Sequence, residues 1–245
     1  MNRVIFEITL RQVLGRRRTI IMALVALVPV GLSLLVRWGG DGVHPNEWAA
    51  EFLYPVLIVG ALLPLAALVF GTAVLGSDFD DGTAVYLLTK PLKRREIIIP
   101  KLAVAWVVTA ATMALSSVAA GVVTFATEGD PQIAAGFTAA TLVGALVYCA
   151  LFLALSIITG RALIIGLAYV FVWEGVITGL FAGTRNFSVR EYTLALSERL
   201  SGAPPDLFTA QLGEVAAIVG MAIALVGATW IAIRQLEVWE IGERA

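Results

Sequence analysis

Long runs without a charged residue alternate with short polar connections along this chain. Runs of about 18 apolar residues or more predict membrane-spanning helices, because a helix satisfies its backbone hydrogen bonds internally. Five runs contain no charge, and one more, 162–184, is interrupted by Glu174 alone; the uninterrupted runs are 19–36, 52–77, 102–127, 131–160 and 215–233. The pattern therefore predicts an all-α membrane protein with six transmembrane helices in a single domain, 1–245.

The composition excludes several classes of protein. Of the 245 residues, 59% are hydrophobic and 14% are charged, and the mean hydropathy is +0.90, values that water-soluble domains of this size do not show. The formal net charge of −1 gives no reason to expect a nucleic-acid partner. A single cysteine, Cys149, and a single histidine, His44, exclude a disulfide framework, a cysteine metal cluster and a histidine-dependent catalytic triad within the membrane.

Lysine and arginine are distributed unequally between the two sides that six spans would create. Thirteen of the 17 fall on the side of the termini, most of them in 1–18 and 77–101. Because short cytoplasmic connections carry the excess of positive charge, both termini and 77–101 are expected in the cytoplasm. The basic residues of 1–18 would hold this segment at the inner membrane surface, where they would meet anionic lipid.

The connection 77–101 reads SDFDDGTAVYLLTKPLKRREIIIPK and carries nine charged residues between two predicted spans. Its Asp80-Asp81-Gly82-Thr83 sequence is typical of a helix start, because carboxylates stabilise the free N–H groups of a first turn. A helix over 84–90 would end at Pro91, before a second helix that leads into the third span. Such a short helix could dock another protein. The segment could equally be a solvated loop whose basic residues only follow the topology rule.

This connection resembles the one between the second and third spans of ABC-2 type transporter permeases. The residues that carry the resemblance are Asp78, Gly82, Thr83, Leu87, Leu88, Pro91, Arg94 and Lys101. The basic N-terminal segment, the number of spans and the chain length agree with the family as well, and the resemblance implies an interfacial helix over 1–18. Two positions depart from the family pattern, since Asp78 stands where Glu is usual and Pro100 where a more flexible residue is common.

The resemblance implies a permease fold of the type V exporter kind, with 77–101 as a cytoplasmic coupling helix that docks on a separate ATPase subunit. Asp81 is included with the residues above as a candidate for coupling. Two ATPase subunits would bind ATP and Mg, so no cofactor is expected in this chain, which has no G-x-x-x-x-G-K-[ST] phosphate loop. A second permease subunit, identical or homologous, would complete a transporter in a bacterial plasma membrane that exports a hydrophobic or amphipathic substrate.

Two other classes of protein remain open. Asp78, Asp81 and Gly82 resemble part of the motif of CDP-alcohol phosphotransferases, where paired aspartates hold a divalent metal on substrate phosphates. That motif requires Ala-Arg where this chain has Val85-Tyr86, and a second set of aspartates is missing. A membrane scaffold without transport activity is the other alternative. It predicts that the connection could be scrambled without effect on any ATPase.

Glu174 is the most unusual single residue, because a charge near the middle of a span costs about 2.5–3.5 kcal/mol on insertion scales. Gly175, Gly179 and Gly183 follow it at four-residue spacing and predict a ridge on which another helix could pack closely. Glu174 and this ridge are expected at the translocation path or at the seam between two permeases. The alternative is a carboxyl group hydrogen-bonded inside the bundle, with Thr178 as the candidate partner.

The connection 184–213 is predicted to be extracellular and to contain an amphipathic helix that begins with a capping box at Ser188 and ends at Gly202. Its apolar face would comprise Val189, Tyr192, Leu196 and Leu200, and its water-facing residues would be Arg190, Glu191 and Glu198. Such a helix is expected to lie flat in the outer membrane interface. In the resembled family this segment caps the translocation path, so anchoring and gating are both open.

Overall fold

The computed structural model describes residues 3–13, 15–39, 43–80 and 94–238, and these ranges are almost entirely helical. We label the helices α1 (Arg3–Val13), α2 (Arg16–Gly39), α3 (Pro45–Glu47, a π-helix over Trp48–Leu62, then Leu63–Asp80), α4 (Arg94–Thr124), α5 (Pro131–Ile158), α6 (Ala162–Ala168, a π-helix over Tyr169–Ile177, then Thr178–Leu180), α7 (Val189–Ser201) and α8 (Glu214–Val238). A 3₁₀ turn, Ala182–Phe187, joins α6 to α7.

Six of these helices are long and apolar enough to cross a membrane, which confirms the predicted all-α fold with six spans. The qualifying segments are Met22–Gly39, Pro45–Leu75, Arg94–Thr124, Pro131–Ile158, Ala162–Leu180 and Glu214–Val238. Two spans start well before their charge-free runs, since α3 begins at Pro45 and the described part of α4 begins at Arg94. In both cases residues that include charges continue the same helix.

Consecutive spans run in opposite directions. Lys101, near the start of α4, donates to the carbonyl of Val74 near the end of α3, at 2.5 Å. Arg37, near the end of α2, donates to the carbonyl of Val123 near the end of α4, at 3.1 Å. We call the end of the bundle where α2 begins and α8 ends the near end, and the opposite end the far end.

Helix α5 occupies the centre of the bundle. It packs against α3, α4, α7 and α8, and most of its side chains are buried. Helices α2, α6 and α8 are mostly exposed and form the periphery. At the near end, α1 lies against α4 and α3, with Thr9 and Val13 buried. The peripheral apolar surface suits contact with lipid or with another subunit, since nothing in a bilayer penalises exposed Leu, Ile and Val.

Candidate functional site

Helix α7 lies inside the bundle, antiparallel to α5, and is not spread over its surface. A side chain at Gly136 would place its Cβ 2.2 Å from the Cα atom of Ser201, and one at Gly144 would place it 2.4 Å from Oγ1 of Thr193. Only glycine leaves room for backbone approach this close. The two glycines therefore set α7 directly against the central helix.

The N-terminus of α7 lies deep in the membrane-spanning part of the protein. From Gly136, which faces the last turn of α7, to Tyr148, which lies beside its first turn, α5 rises about 18 Å. The chain therefore leaves α6, turns back into the bundle through Ala182–Phe187 and runs toward the far end again as α7. Non-helical backbone at this depth is tolerated only where protein groups satisfy its hydrogen bonds.

Glu174 supplies acceptors for the first turn of α7. Its Oε1 atom accepts from the backbone N–H groups of Val189 at 3.0 Å and Arg190 at 3.2 Å. Ser188 is the N-cap, as its place in the sequence predicts, and its hydroxyl oxygen accepts from the N–H of Glu191 at 3.3 Å. Three N–H groups that a helix start leaves unpaired thus find partners. A carboxylate at this position also interacts favourably with the positive end of the helix dipole.

Two tyrosines complete the shell around this carboxyl group. Tyr148 of α5 donates its hydroxyl to Oε2 of Glu174, and Tyr169 of α6 donates to Oε1 at 3.0 Å. Tyr169 precedes Glu174 by five residues, and both belong to the π-helix Tyr169–Ile177. The i→i+5 hydrogen bonds of a π-helix bring residues five apart nearly above one another. The widened turn therefore lets the two side chains meet.

We refer to Glu174, Tyr148, Tyr169, Ser188 and the N–H groups of Val189 and Arg190 as the Glu174 cluster. Every partner of the carboxyl group in it is a donor, and the Glu174 side chain is only 1% exposed. The arrangement holds three elements together, α5, α6 and the start of α7. Through its contacts with backbone N–H groups, the carboxyl group binds the start of a helix.

The turn before α7 is fixed to α6 by side chains. Nε1 of Trp173 donates to the carbonyl of Phe187 at 3.2 Å, and Nε of Arg185 donates to the carbonyl of Thr178 at 3.3 Å. Arg185 also reaches Oε1 of Gln211, at 3.1 Å, before α8 begins. The segment before α7 is therefore joined to α6 by several contacts besides the Glu174 cluster.

Several details of the sequence-based predictions are wrong for this region. Thr178 donates to the backbone carbonyl of Glu174 and not to its carboxyl group, because a threonine in a helix readily bonds the carbonyl four residues earlier. The helical ridge ends before Gly183, since α6 stops at Leu180 and Phe181 has extended backbone angles. Gly175 and Gly179 are exposed whereas the Glu174 side chain is buried, so the carboxyl group does not lie on the exposed surface of the ridge.

The predicted surface helix is also placed differently. Glu191 is 7% exposed, so it does not face water, and Arg190 and Glu198 are half-buried. The prediction failed because α7 packs against α5 and α8 on faces that periodicity alone assigns to water. Its end is as predicted, since Gly202 takes the left-handed conformation that closes the helix.

Most of the residues predicted to couple to an ATPase lie outside the described ranges. Asp81, Gly82, Thr83, Leu87, Leu88 and Pro91 belong to 81–93, and the side chain of Asp78 is likewise undescribed. Arg94 opens α4 and is half-buried. Lys101 is 1% exposed and joins α4 to α3 through the carbonyl of Val74. The structure therefore ties together the two helices that flank 81–93.

A family model described as ABC-2 family transporter protein matches residues 14–196, about three quarters of the chain. The chain belongs to the ABC-2 transporter family. It is a multi-pass membrane protein and the permease component of an ABC transporter, which favours transport over the phosphotransferase alternative. No curated protein matches the chain closely enough to add a named relative.

Sequence reasoning identified Glu174 in this ABC-2 permease but missed its partners. Tyr148 lies in a charge-free run, 26 residues before Glu174, where nothing distinguishes it from other span residues. The sequence contains some indication of Tyr169 as a partner, because a hydroxyl group five residues before a membrane carboxyl group can reach it in a π-helix. The cap predicted at Ser188 is the part of this site that the local sequence specifies.

Proposed function

We propose that this ABC-2 permease is the membrane subunit of an ATP-driven exporter for a hydrophobic or amphipathic substrate. A separate ATPase with a phosphate loop binds ATP and Mg and docks on 77–101. Two permeases, identical or homologous, and two ATPases form the working transporter in a bacterial plasma membrane, with both permease termini cytoplasmic. The observation that carries the proposal is the family match over 14–196, because it includes the whole of this charged connection.

The proposed direction of force follows from the flanks of the connection. Because Lys101 fastens the start of α4 to the end of α3, a pull on 81–93 acts on both helices together. Both helices pack on α5, which contacts α7. ATP-driven closure of the two ATPases would therefore reach the centre of the bundle through α3, α4 and α5.

In this mechanism α7 closes the far end of the path. Glu174 holds the start of α7 to α6 and α5, so the three elements move as a unit when the subunits rock against one another. Glu174 acts by positioning α7. The exposed face of α6 that carries Gly175 and Gly179 is available to the second permease, where small residues permit close packing.

The proposal is tested by purifying the permease with the ATPase encoded beside it. Leu87→Asp combined with Leu88→Asp should abolish co-purification or the stimulation of ATP hydrolysis by the permease, because charges would replace the apolar contact of the docking helix. Leu200→Asp is the matched control, since Leu200 is exposed at the far end of α7. Unchanged complex formation and unchanged stimulation in the double variant would refute the proposed docking site.

A further inference from the structure

Two cavities follow one another along the groove between α2 and α4. The first has a volume of about 370 Å³ and lies against the middle of both helices; among the residues that line it are Met22, Ala26, Val30, Val108, Leu115 and Ala119. The second has a volume of about 300 Å³ and lies at the far end; among the residues that line it are Ser33, Arg37, Trp48, Thr124, Thr127 and Glu128. Each has the size of a small-molecule site.

The first cavity is apolar in character. Its two hydroxyl groups are already used, since Thr112 donates to the carbonyl of Val108 at 2.7 Å and Ser116 donates to the carbonyl of Ala26 at 2.6 Å. The remaining lining is aliphatic apart from Met22 and Phe70. An occupant of this cavity gains only from burial of apolar surface, as a hydrocarbon chain would.

The second cavity presents groups of both signs. Arg37 and Glu128 both line it, and they do not form an ion pair with each other in the part of the chain that the structure describes. Arg37 spends one donor on the carbonyl of Val123, which leaves the rest of its guanidinium group for a ligand. Trp48 lines the same cavity with its ring, and its Nε1 atom is buried.

The spacing of the two cavities matches one membrane lipid. From Arg37 to Met22, α2 rises about 22 Å, and one leaflet of a bilayer, with its headgroups, is about 20–22 Å thick. If the phosphate of a zwitterionic lipid lies beside Arg37, its ammonium group lies in the same polar cavity as Glu128. Arginine suits the phosphate because its planar fork donates two hydrogen bonds to it.

We propose that the groove between α2 and α4 binds one zwitterionic phospholipid from the far-end leaflet, with its headgroup in the polar cavity and an acyl chain in the apolar one. This site is separate from the Glu174 cluster and from the ATPase connection. It does not depend on the direction of transport, so its failure would leave the proposed function untouched. With the termini cytoplasmic, the leaflet concerned is the outer one.

Native mass spectrometry of the full chain tests the site. The protein is delipidated and then supplied with phosphatidylethanolamine, phosphatidylcholine or phosphatidylglycerol of identical acyl chains. We expect one molecule of phosphatidylethanolamine or phosphatidylcholine to be retained about tenfold more strongly than phosphatidylglycerol. The ammonium group of a zwitterionic lipid is attracted to Glu128, whereas Glu128 repels an anionic lipid. This comparison uses the unaltered protein, so it does not depend on the folding of any variant.

Variants then assign the contacts. Arg37→Gln should weaken retention of all three lipids, Glu128→Gln should remove the preference for zwitterionic headgroups, and Ala26→Phe should block the chain. Arg199→Gln is the control, since Arg199 is also an arginine at the far end, pairs with Glu214 and lines neither cavity. Equal retention of the three lipids, equal retention by all the variants, or cross-linking of this groove to a second copy of the chain would overturn the proposal.

Discussion

At the scale of single residues, Glu174 accounts for the position of α7. Glu174→Ala would leave the N–H groups of Val189 and Arg190 and the hydroxyls of Tyr148 and Tyr169 without their acceptor. We expect the free energy of unfolding to fall by about 2–4 kcal/mol, since each unsatisfied buried donor costs about 1–3 kcal/mol and some will find new partners. Thermal unfolding of the purified permease measures this.

Glu174→Gln replaces the carboxyl group with an amide of nearly the same shape, so it tests the carboxyl group itself. Glutamine keeps one acceptor oxygen but turns an NH₂ group toward donors, so we expect a smaller loss of about 1–2 kcal/mol. Glu47→Ala is the control for a glutamate that is exposed, where changes stay within about 0.5 kcal/mol. If Glu174→Ala unfolded no earlier than Glu47→Ala, the Glu174 cluster would not stabilise the fold.

Tyr148 provides an independent check, because its hydroxyl is expected to matter only through Glu174. Tyr148→Phe should destabilise the native protein by about 1–2 kcal/mol and have much less effect in the Glu174→Gln background. Tyr54→Phe is the matched control, since Tyr54 is also a buried tyrosine and donates to the carbonyl of Ser117 at 3.2 Å. Its effect should be the same in both backgrounds. Additive effects of Tyr148→Phe and Glu174→Gln would contradict the contact.

At the scale of elements, the seating of α7 depends on glycine. Gly136→Ala places a methyl group against the backbone of Ser201, so α7 has to shift or detach at its far end. We expect a loss of about 1–3 kcal/mol and faster hydrogen exchange over Val189–Ser201. Gly227→Ala has the opposite expectation, because nothing lies within 4 Å of that position and alanine favours a helix interior. Equal effects of the two substitutions would show that α7 is not packed closely on α5.

The elements differ in how far the sequence could predict them. The six spans follow from their charge-free runs, since the physics of the bilayer makes length and apolarity sufficient. The start of α7 at Ser188 and its end at Gly202 follow from local cap chemistry. Its place in the bundle does not, because Gly136 and Gly144 look like ordinary span glycines until α7 is laid against them. The partners of Glu174 are likewise distant in sequence, apart from Tyr169.

At the scale of the whole molecule, three features form one series of contacts from the near end to the far end. The connection 77–101, where we propose that the ATPase docks, is flanked by two helices joined by Lys101. Helix α5 carries contacts through the centre, and α7 is anchored by Glu174. A movement applied at the near end therefore has a continuous packed route to the far end. This route predicts that force enters at 77–101 and nowhere on the far-end surface.

Photo-cross-linking of the complete transporter tests that claim most directly. A benzophenone amino acid placed at Leu87 should form an adduct with the ATPase on illumination. The same group at Leu200, which is 41% exposed at the far end, should form none. An ATPase adduct from position 200, or none from position 87 in a transporter that hydrolyses ATP, would contradict the account.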